Sequence, residues 1–518
     1  MSEESNDWRV ENVRKMGDTS GFDVLIVCTS SRGQAKYWQE RLETNPSISS
    51  NKTTVLTVFE DWKGESGAGN ALGTLYAWQN ACQKSSNTNI QEQLSEEKIS
   101  VAIYHTAGKG TRLAPLPGSE VNNKPGVKLP ATVELGDKKE ARCLTILEAV
   151  IKQTSIYSES RKGRLSVFWG DQIFIPSINA EYKPACHIDV LCKLQPMPSK
   201  AQWNEKGMNK YGLIAVSDTG TAQIEKAEFE EANDLLKKLG KLKEVGISLG
   251  SFSISSELLD VLLKEFKPEL RAKNGKMDSD PDIWMPLTLP KESFLALRKK
   301  KGFNEETSAQ HFERISKLKS SLSGDIFCGV DIGSDAYWWD YGQLHLYLQN
   351  CLLLTKPLPE SKLMSLFFGH KSGKAFNGEK FAGNVFCDCE IFGKTVVKDS
   401  VLASVRCVDV NADGAILINV TSAANISAGK GSIVYNVVSE SDVCVEAGEV
   451  LVGVANSEGL LRCSIEGNMG ALWEEMFEKV YNDNKGIDMA TFERERLLAS
   501  SVVLERLRSS GMAKNAPN

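Results

Sequence analysis

Histidine is scarce in this sequence, with five residues among 518. None of them is paired at the spacing of metal ligands, so a mechanism based on histidine has little scope. Basic residues are not in excess either, because 61 lysines and arginines face 67 aspartates and glutamates. Nucleic-acid binding normally needs a basic face, and this balance gives no reason to expect it. A local basic pocket for phosphates is compatible with the same net charge.

Long apolar runs are absent too, since none approaches the ~20 residues that a membrane span needs. The opening residues are polar and acidic, without an apolar signal segment or an arginine-rich transit pattern. The 12 cysteines are scattered, mostly in apolar stretches around Cys28, Cys143, Cys192, Cys328 and Cys351. The one close pair, Cys387 and Cys389, has no second pair at metal spacing. We therefore expect reduced, buried thiols in a cytoplasmic protein that has no membrane partner.

The chain is too long for a single core, so two or three domains are expected. Strand-like runs alternate with helical patterns over residues 1–350, and three of these runs end at Cys28, Tyr104 and Trp169. The alternation predicts an α/β domain with a mainly parallel, doubly wound, Rossmann-like sheet, in which ligands bind beyond the carboxyl ends of the strands. Among the helices, an apolar period predicts one over residues 141–153. We expect the chemistry in the loops after the three strands.

From about Gly383 the helical periodicity disappears. When the sequence is written in rows of six residues, one column is apolar except at Gly414. Its apolar residues are Val396, Leu402, Val408, Val420 and Ile426. A six-residue period is typical of a parallel β-helix, and an antiparallel β-domain is the alternative. We predict a linker over residues 351–382, a left-handed parallel β-helix over 383–455 and a helical C-terminal segment over 456–518. These helices would cap the coil or form an interaction surface.

The loop after Tyr104 carries the clearest chemical signal. Its small residues let backbone N–H groups approach phosphate oxygens closely and form an anion-binding nest. Lys109 and Arg112 add positive charge, and arginine can engage phosphate through two hydrogen bonds. No Walker-type Gly-Lys-Ser/Thr follows, and a turn without a ligand uses the same residues. We predict that a nucleotide binds along this loop, at Ala107, Gly108, Lys109, Gly110 and Thr111.

Two lysines follow the loop in the run NNKPGVKLP, at Lys124 and Lys128. Here the chain resembles the sugar-nucleotide pyrophosphorylases, a family of sugar-1-phosphate nucleotidyltransferases. Their pattern is a strand, Gly-Gly-x-Gly-Thr-Arg-Leu-x-Pro-Leu, and then Lys-Pro, from which Ala107 departs. The resemblance implies that Arg112 and one of the two lysines are catalytic. Lys124 has the proline neighbour and Lys128 lies nearer the next strand-like run, so both stay open.

Two aspartates stand where the family has its metal ligands. Asp171 follows the strand that ends at Trp169, as the family's Gly-Asp does, and Asp340 stands in WWDYG, which resembles the family's Trp-x-Asp-x-Gly. Taken alone, Asp171 is compatible with a turn and Asp340 with a helix N-cap. The resemblance implies that both carboxylates hold Mg²⁺, a hard cation that prefers oxygen ligands.

Further segments resemble the family's sugar-phosphate site. Gly212 closes a Tyr-Gly pair, and Glu225 precedes Lys226, as in the family's Tyr-Gly…Glu-Lys-Pro stretch, although Ala227 replaces the proline. Ser248 lies in a strand-like run at a place where the family commonly has asparagine. The resemblance implies that these residues bind the sugar phosphate.

An early glycine turn gives a finer resemblance, to the fucose-1-phosphate guanylyltransferases. That subgroup has a glutamine-rich first helix, a glycine turn that helps to hold the base, and a histidine before the phosphate loop, where His105 stands here. Gly67 and Gly69 are therefore predicted to bind the nucleotide. No fucokinase half is present, and the phosphate loop is more similar to the general family.

Together these matches predict nucleotidyl transfer. An oxygen of a sugar 1-phosphate would attack the α-phosphorus of a nucleoside triphosphate in line, and pyrophosphate would leave. The substrates are GTP with fucose 1-phosphate, or UTP with a hexose 1-phosphate. Assembly of a homo-oligomer through the coil or the C-terminal helices is left open.

Three other functions are considered. A non-catalytic regulatory or binding protein of the same architecture is the main alternative, and the presence of Arg112, Asp171, Lys226 and Asp340 argues against it. An acyltransferase of the hexapeptide-coil type would need a histidine on the coil, and residues 383–455 contain none. A dinucleotide-binding oxidoreductase would need an acidic residue after the loop at Rossmann spacing, which is missing.

Overall fold

A computed structural model describes residues 7–18, 21–48, 52–64, 67–85, 88–106, 108, 110–136, 139–370, 383–454, 459–465 and 471–510. Ala107 and Lys109 of the predicted phosphate loop lie outside these residues. Residues 371–382 of the predicted linker lie outside them as well. Within the described ranges, no helix is both long enough and apolar enough to cross a membrane.

The N-terminal part mixes strands and helices. Its strands are β1 (Val24–Thr29), β2 (Thr54–Phe59), β3 (Val101–His105), β4 (Lys128–Leu135), β5 (Glu140–Thr145), β6 (Arg164–Trp169), β7 (Gln172–Ile175), β8 (Cys186–Gln195), β9 (Gly212–Ser217), β10 (Thr221–Glu225), β11 (Leu242–Ser255), β12 (Asp325–Asp331) and β13 (Tyr337–Asp340). Its helices are α1 (Trp8–Asp18), α2 (Arg32–Glu43), α3 (Gly69–Lys84), α4 (Ile90–Ser95), α5 (Ile146–Thr154), α6 (Lys200–Glu205), α7 (Phe229–Lys238), α8 (Ser256–Glu265), α9 (Lys267–Ala272), α10 (Met285–Thr288), α11 (Lys291–Lys300), α12 (Glu305–Ser316), α13 (Leu344–Leu353) and α14 (Pro359–Phe367). The chain is therefore of mixed α/β type, as the alternation predicts.

The largest sheet has the strand order β10-β9-β11-β6-β3-β1-β2, and β8 joins it beside β11 with β12 at its outer side. Strands β2, β1, β3 and β6 are parallel, whereas β11 runs antiparallel to β6, β8 and β9. The predicted parallel arrangement is therefore confirmed for β2, β1, β3 and β6, whereas the antiparallel pairings of β11 and β10 make the rest of the sheet mixed. The tight connection from β9 to β10 favours antiparallel pairing, because a parallel pair needs a long crossover.

Both faces of the parallel half are buried. All six residues of β1 are buried. Leu25 and Val27 pack into one core, and Val24 and Ile26 pack into another on the opposite face. A strand that is covered on both sides reads as a continuous apolar run, which is why β1 is visible in the sequence.

The helix predicted over residues 141–153 is wrong in its first part. Residues 140–145 form β5, which pairs antiparallel with β4, and the helix α5 begins only at Ile146. Thr145 begins α5 with a capping box, because its side chain accepts from the Glu148 amide at 3.3 Å while the Glu148 carboxylate accepts from the Thr145 amide at 2.8 Å. The apolar residues on both sides of this cap make one continuous pattern in the sequence.

The segment predicted as a linker is helical at its start. Helix α13 crosses residue 350, and α14 follows within the predicted range. Leu363, Met364 and Phe367 of α14 are buried in the core of the N-terminal part. The domain boundaries themselves stay predictions.

After residue 383 the chain forms a coil of short strands. These are β14 (Val385–Cys387), β15 (Glu390–Ile391), β16 (Thr395–Lys398), β17 (Val401–Cys407), β18 (Val410–Asp413), β19 (Ile416–Ser422), β20 (Ile426–Ala428), β21 (Ile433–Tyr435), β22 (Val438–Ser439), β23 (Val443–Val445), β24 (Glu449–Gly453) and β25 (Leu460–Ser464). One parallel sheet has the order β14-β17-β19-β21-β24 and a second has the order β16-β18-β20-β23. The antiparallel alternative is thus wrong for these strands, although β25 runs antiparallel to β24.

The six-residue column is wrong in detail. Neighbouring turns of the coil pair Val401 with Ile416, Ile416 with Ile433 and Ile433 with Val450, which are steps of 15 to 17 residues. Val396, the first residue of the column, is 47% exposed. Because the turns of the coil differ in length, its inward-facing apolar positions do not recur at every sixth residue. The left-handed sense of the coil stays a prediction.

The helical prediction for residues 456–518 is confirmed in the later described part of this range and wrong at its start, where Leu460–Ser464 form strand β25. Helices α15 (Ala471–Asp483) and α16 (Met489–Ser509) are separated by a short turn over Asn484–Gly486. Val503 and Leu507 of α16 pack on the coil at Phe392.

The expectation that every cysteine is a reduced thiol is wrong for two residues. Cys186 and Cys328 form a disulfide between β8 and β12, which are parallel neighbours, with their Cα atoms 5.8 Å apart. That separation lies in the usual range for a disulfide. Because 142 residues of sequence separate them, no local pattern could have shown the pair. Cys28, Cys143, Cys192 and Cys351 are free and buried, as expected.

Candidate functional site

The parallel strands bring three loops to one edge of the sheet. Cys28 pairs in register with His105, and His105 pairs with Trp169. A cavity of about 510 Å³ opens at this edge. Its lining includes five of the predicted site residues, namely Arg112, Lys124, Asp171, Glu225 and Lys226. The first and the last of these residues are 114 positions apart in the sequence, and the sheet brings all five to one cavity.

The two predicted metal ligands lie close to each other, and Asp171 lines the cavity whereas Asp340 is not among its lining residues. Asp340 pairs with Gln172, the residue after Asp171, in the two-stranded sheet of β13 and β7. A Cβ atom added to Gly342 would lie 2.8 Å from Asp171 Oδ2 and 2.9 Å from Asp340 Oδ1, so both carboxylates converge on this glycine. Burial raises the pKa of Asp340, and the charge of Asp171 raises it further. Two convergent carboxylates of this kind suit a hard cation.

Lys124 belongs to the cavity, and Lys128 does not. The Lys124 amino group contacts Asp171 Oδ2 directly. The Lys128 amino group instead lies 2.7 Å and 2.9 Å from the two carboxylate oxygens of Glu120, and both side chains are buried. The structure therefore separates the two lysines that the sequence leaves open.

The described part of the phosphate loop meets the Lys124 segment. Gly108 and Gly110 have φ angles of +124° and +66°, a region that favours glycine. A Cβ atom on Gly110 would lie 3.1 Å from the Lys124 Cβ atom, so the loop and the lysine are in close contact. Thr111 and Arg112 begin a 3₁₀ turn and are exposed. They are accessible to a ligand in the cavity.

The predicted sugar-phosphate residues form a second group around Glu225. A Cβ atom on Gly212 would lie 2.8 Å from Glu225 Oε2 and 3.6 Å from Ser248 Cβ. Glu225 Oε1 lies 3.1 Å from the Lys226 amino group, and Lys226 is largely exposed. Glu225 Oε2 is buried and has no hydrogen-bond partner among the described residues. Glu225 and Lys226 line the cavity, while Gly212 and Ser248 lie behind Glu225.

The early glycine turn reaches the cavity through Asn70. Gly69 has a φ angle of +73°, and a Cβ atom there would lie only 2.4 Å from the Met277 carbonyl oxygen. The Asn70 amide donates to Asp278 Oδ1 at 2.9 Å, and Asn70 lines the cavity. Gly67 also has a positive φ angle and packs on Glu60. The described residues of the turn, from Gly67 onward, therefore lie beside the cavity, and residues 65 and 66 lie outside the described ranges.

Two acidic residues of the cavity were missed in the sequence. Asp278 and Asp280 also line it. Burial raises the pKa of Asp280 to about 7, and the nearby charge of Glu225 raises it too. A π-helical turn over Ser279–Trp284 exposes this segment to the cavity, and such turns are frequent at functional sites. The alternating acids in the run DSDPD were the available signal.

His105 forms part of the cavity wall. Its Nε2 atom lies 2.8 Å from Thr74 Oγ1, and its ring lies 5.7 Å from the Trp169 ring. Burial lowers the pKa of His105 to about 4, so the ring is neutral near pH 7. A neutral, hydrogen-bonded ring suits a wall of the site better than a proton carrier.

Another group of potential metal ligands lies elsewhere. Among the described residues, Cys186, Asp189 and Cys328 form a cluster of three potential metal ligands. The disulfide between the two cysteines removes their thiolates, which a metal would need. Neither Asp171 nor Asp340 belongs to this group.

Comparison with known proteins adds no family. The chain matches none of the models of protein families with which it was compared, and a search of curated proteins gives no match either. The geometry of the cavity must therefore carry any functional conclusion.

Proposed function

We propose that this chain is a Mg²⁺-dependent nucleotidyltransferase that joins a nucleoside triphosphate to a sugar 1-phosphate and releases pyrophosphate. The proposal includes the finer architecture, a Rossmann-like catalytic domain followed by a left-handed parallel β-helix. The observation that carries it is the cavity at the sheet edge. There Arg112, Lys124 and Asp171 meet Glu225 and Lys226, which come from three separate stretches of the sequence.

The charges of the cavity fit two phosphate groups and a cation. Arg112, Lys124 and Lys226 supply positive charge along the lining, and Asp171 with the adjacent Asp340 supplies the carboxylates. Asp171 and Asp340 would hold Mg²⁺, which when bound neutralises phosphate charge. Donors fixed in place before the reaction stabilise developing charge better than water can.

The protein's own part in the reaction is to orient and neutralise. Lys226 and Glu225 would hold the sugar 1-phosphate so that its oxygen faces the α-phosphorus. Arg112 would bind the triphosphate, and Lys124 would stabilise the negative charge that develops near Asp171. A new bond then forms between the sugar phosphate oxygen and the α-phosphorus, while the bond to pyrophosphate breaks. No covalent intermediate with the protein is required.

The base and the sugar are best found by direct assay. GTP, UTP, ATP and CTP would each be combined with fucose, glucose, mannose and N-acetylglucosamine 1-phosphates in the presence of Mg²⁺, with pyrophosphate release as the readout. We expect one pair to exceed the others by at least about tenfold. Release with no pair, together with tight binding of a nucleotide or a sugar phosphate, would favour the non-catalytic alternative.

A further inference from the structure

The segment that carries Lys124 is held from behind by the C-terminal helices. We name residues 116–127 the lysine segment. Asn484, in the turn between α15 and α16, donates to the Gly118 carbonyl at 2.7 Å and to Asn122 Oδ1 at 3.2 Å. Asn122 in turn donates to the Tyr481 carbonyl at 2.7 Å. Asn484 is buried, so no solvent competes for these bonds.

Helix α16 holds the same segment at two further points. Arg496 donates to the carbonyl and the hydroxyl oxygens of Ser119, at 3.2 Å and 3.1 Å. The Asn123 amide group donates to Met489 Sδ at 3.3 Å. Arg496 and Asn123 are both buried. The contacts therefore form a buried interface rather than a few surface bonds.

The coil completes this support at Glu120. Asn436 of the coil donates to Ser119 Oγ at 2.8 Å and to Glu120 Oε1 at 2.7 Å. The hydroxyl group of Tyr435 donates to the same Glu120 oxygen and accepts from the Lys128 amide at 2.8 Å. The beginning and the end of the lysine segment are thus both fixed.

The backbone of the lysine segment needs such support. Val121 and Asn122 have φ angles of +52° and +62°. This left-handed region is unfavourable for a β-branched residue such as valine, and it persists only where surrounding contacts enforce it. Lys124 follows two residues later and turns its amino group to Asp171 on the other side.

We propose that the C-terminal helices act as a positioning element for catalysis, with Asn484 as a positioning residue that acts through Lys124. This inference rests on the proposed function, which gives Lys124 its catalytic role. It extends that function to helices that are distant in the sequence from the residues of the cavity. Loss of the Asn484 bonds would let residues 118–123 relax and move the Lys124 amino group from Asp171. Displacements of about 1 Å at a reacting group are enough to lower a rate a hundredfold.

The test uses the full-length chain and five variants. Asn484→Ala removes the bonds to the lysine segment, and Lys124→Ala removes the group through which they would act; the double variant combines them. Arg506→Ala is the matched control, because Arg506 lies on α16 but pairs with Glu440 on the exposed side of the coil. Asn122→Gly is a milder second variant, since glycine tolerates the positive φ angle while the bond to Tyr481 is lost.

We expect Asn484→Ala and Asn122→Gly to lower kcat at least about tenfold with little change in the KM for the sugar phosphate. In the Lys124→Ala background, Asn484→Ala should lower kcat by less than about a further twofold, because Asn484 would act on kcat only through Lys124. Arg506→Ala should match the wild type. Equal losses from Asn484→Ala in both backgrounds, or an unchanged kcat, would overturn the proposal.

A second readout separates this inference from the proposed function. Hydrogen exchange of the amides in residues 116–127 should become at least about tenfold faster in Asn484→Ala and stay unchanged in Arg506→Ala. If the wild type is inactive with every substrate pair, the proposed function fails while this measurement still tests the support of the segment. Unchanged exchange in Asn484→Ala would refute the positioning role even in an active enzyme.

Discussion

At the scale of single residues, the partner of a charged group decides what it can do. Lys124 and Lys128 stand in one short run and look equivalent in the sequence. The structure pairs Lys128 with buried Glu120 and turns Lys124 toward Asp171 in the cavity. Glu120 could not be recognised as a partner beforehand, because its position depends on Tyr435 and Asn436 of the distant coil.

Alanine substitution should distinguish the two lysines. Lys124→Ala should lower pyrophosphate release at least about a hundredfold and leave thermal unfolding nearly unchanged, because its side chain ends in the cavity. Lys128→Ala should lower the free energy of unfolding by about 3–5 kcal/mol, because buried Glu120 loses its nearer cation and keeps only Arg496, 3.6 Å away. Both variants would be compared by activity and by denaturant unfolding. Reversed effects would contradict the assignment.

Asp280 should make stability depend on pH. Its folded-state pKa of about 7 lies above the ordinary value of 3.8, so the folded chain binds the extra proton between these values. Stability is then fully present below pH 4 and falls as the pH rises to 7. Asp280→Asn should exceed the wild type by about 1–2 kcal/mol at pH 8 and match it at pH 4.

Denaturant unfolding at both pH values checks this prediction. Asp234→Asn, an exposed aspartate on α7, serves as the control and should follow the wild type at both. If Asp280→Asn is equally destabilised at pH 4 and pH 8, the charge on Asp280 does not lower the stability of the folded wild type at pH 8.

At the scale of elements, the strands that are buried on both faces are the easiest to predict from the sequence. The ends of strands β1, β3 and β6 are predicted to within one residue, because their apolar runs are continuous. Strand β5 was missed because the apolar pattern continues across the Thr145 cap into α5. The coil was recognised as β-structure, but its turns of 15 to 17 residues do not follow a fixed period.

Gly342 shows how an element places the two carboxylates that are proposed to bind Mg²⁺. A side chain on this glycine would meet Asp171 and Asp340 at less than 3 Å. Gly342→Ala should therefore separate the two carboxylates and lower Mg²⁺-dependent activity at least about tenfold, since such sites tolerate little displacement. Gly17→Ala is a control, because nothing lies within 4 Å of a Cβ atom there and its φ angle is not positive. Equal activity of both variants would argue against convergence of the carboxylates in catalysis.

At the scale of the whole molecule, the parts share one core. A single apolar cluster contains Leu116 and Val127 of the lysine segment, Ile418 and Tyr435 of the coil, and Met489 of α16. No local pattern in the sequence shows such a cluster, because its members come together only through the coil and the final helices. The sequence predicted the order of the parts and five residues of the cavity lining, but not the interface that joins them.

Removing residues 456–518 should destabilise the remainder as a consequence. The deletion would expose the apolar surface under Met489 and leave Ser119, Asn122 and Asn123 without their partners. We expect a lower unfolding temperature, on the order of 10 °C or more for a loss of several kcal/mol. Calorimetry of the deleted and full-length chains measures it. An unchanged unfolding temperature would mean that the helices are not part of the shared core.

The most direct measurement compares pyrophosphate release by the wild type and by Asp171→Asn, with and without Mg²⁺, on the best substrate pair. The exchange of carboxylate for amide keeps the shape of the side chain but removes the charge that faces Lys124 and the cation. The wild type should turn over only with Mg²⁺, and Asp171→Asn should lose at least about 99% of that rate while staying folded. Equal rates from both proteins, or turnover without Mg²⁺, would contradict the proposed function.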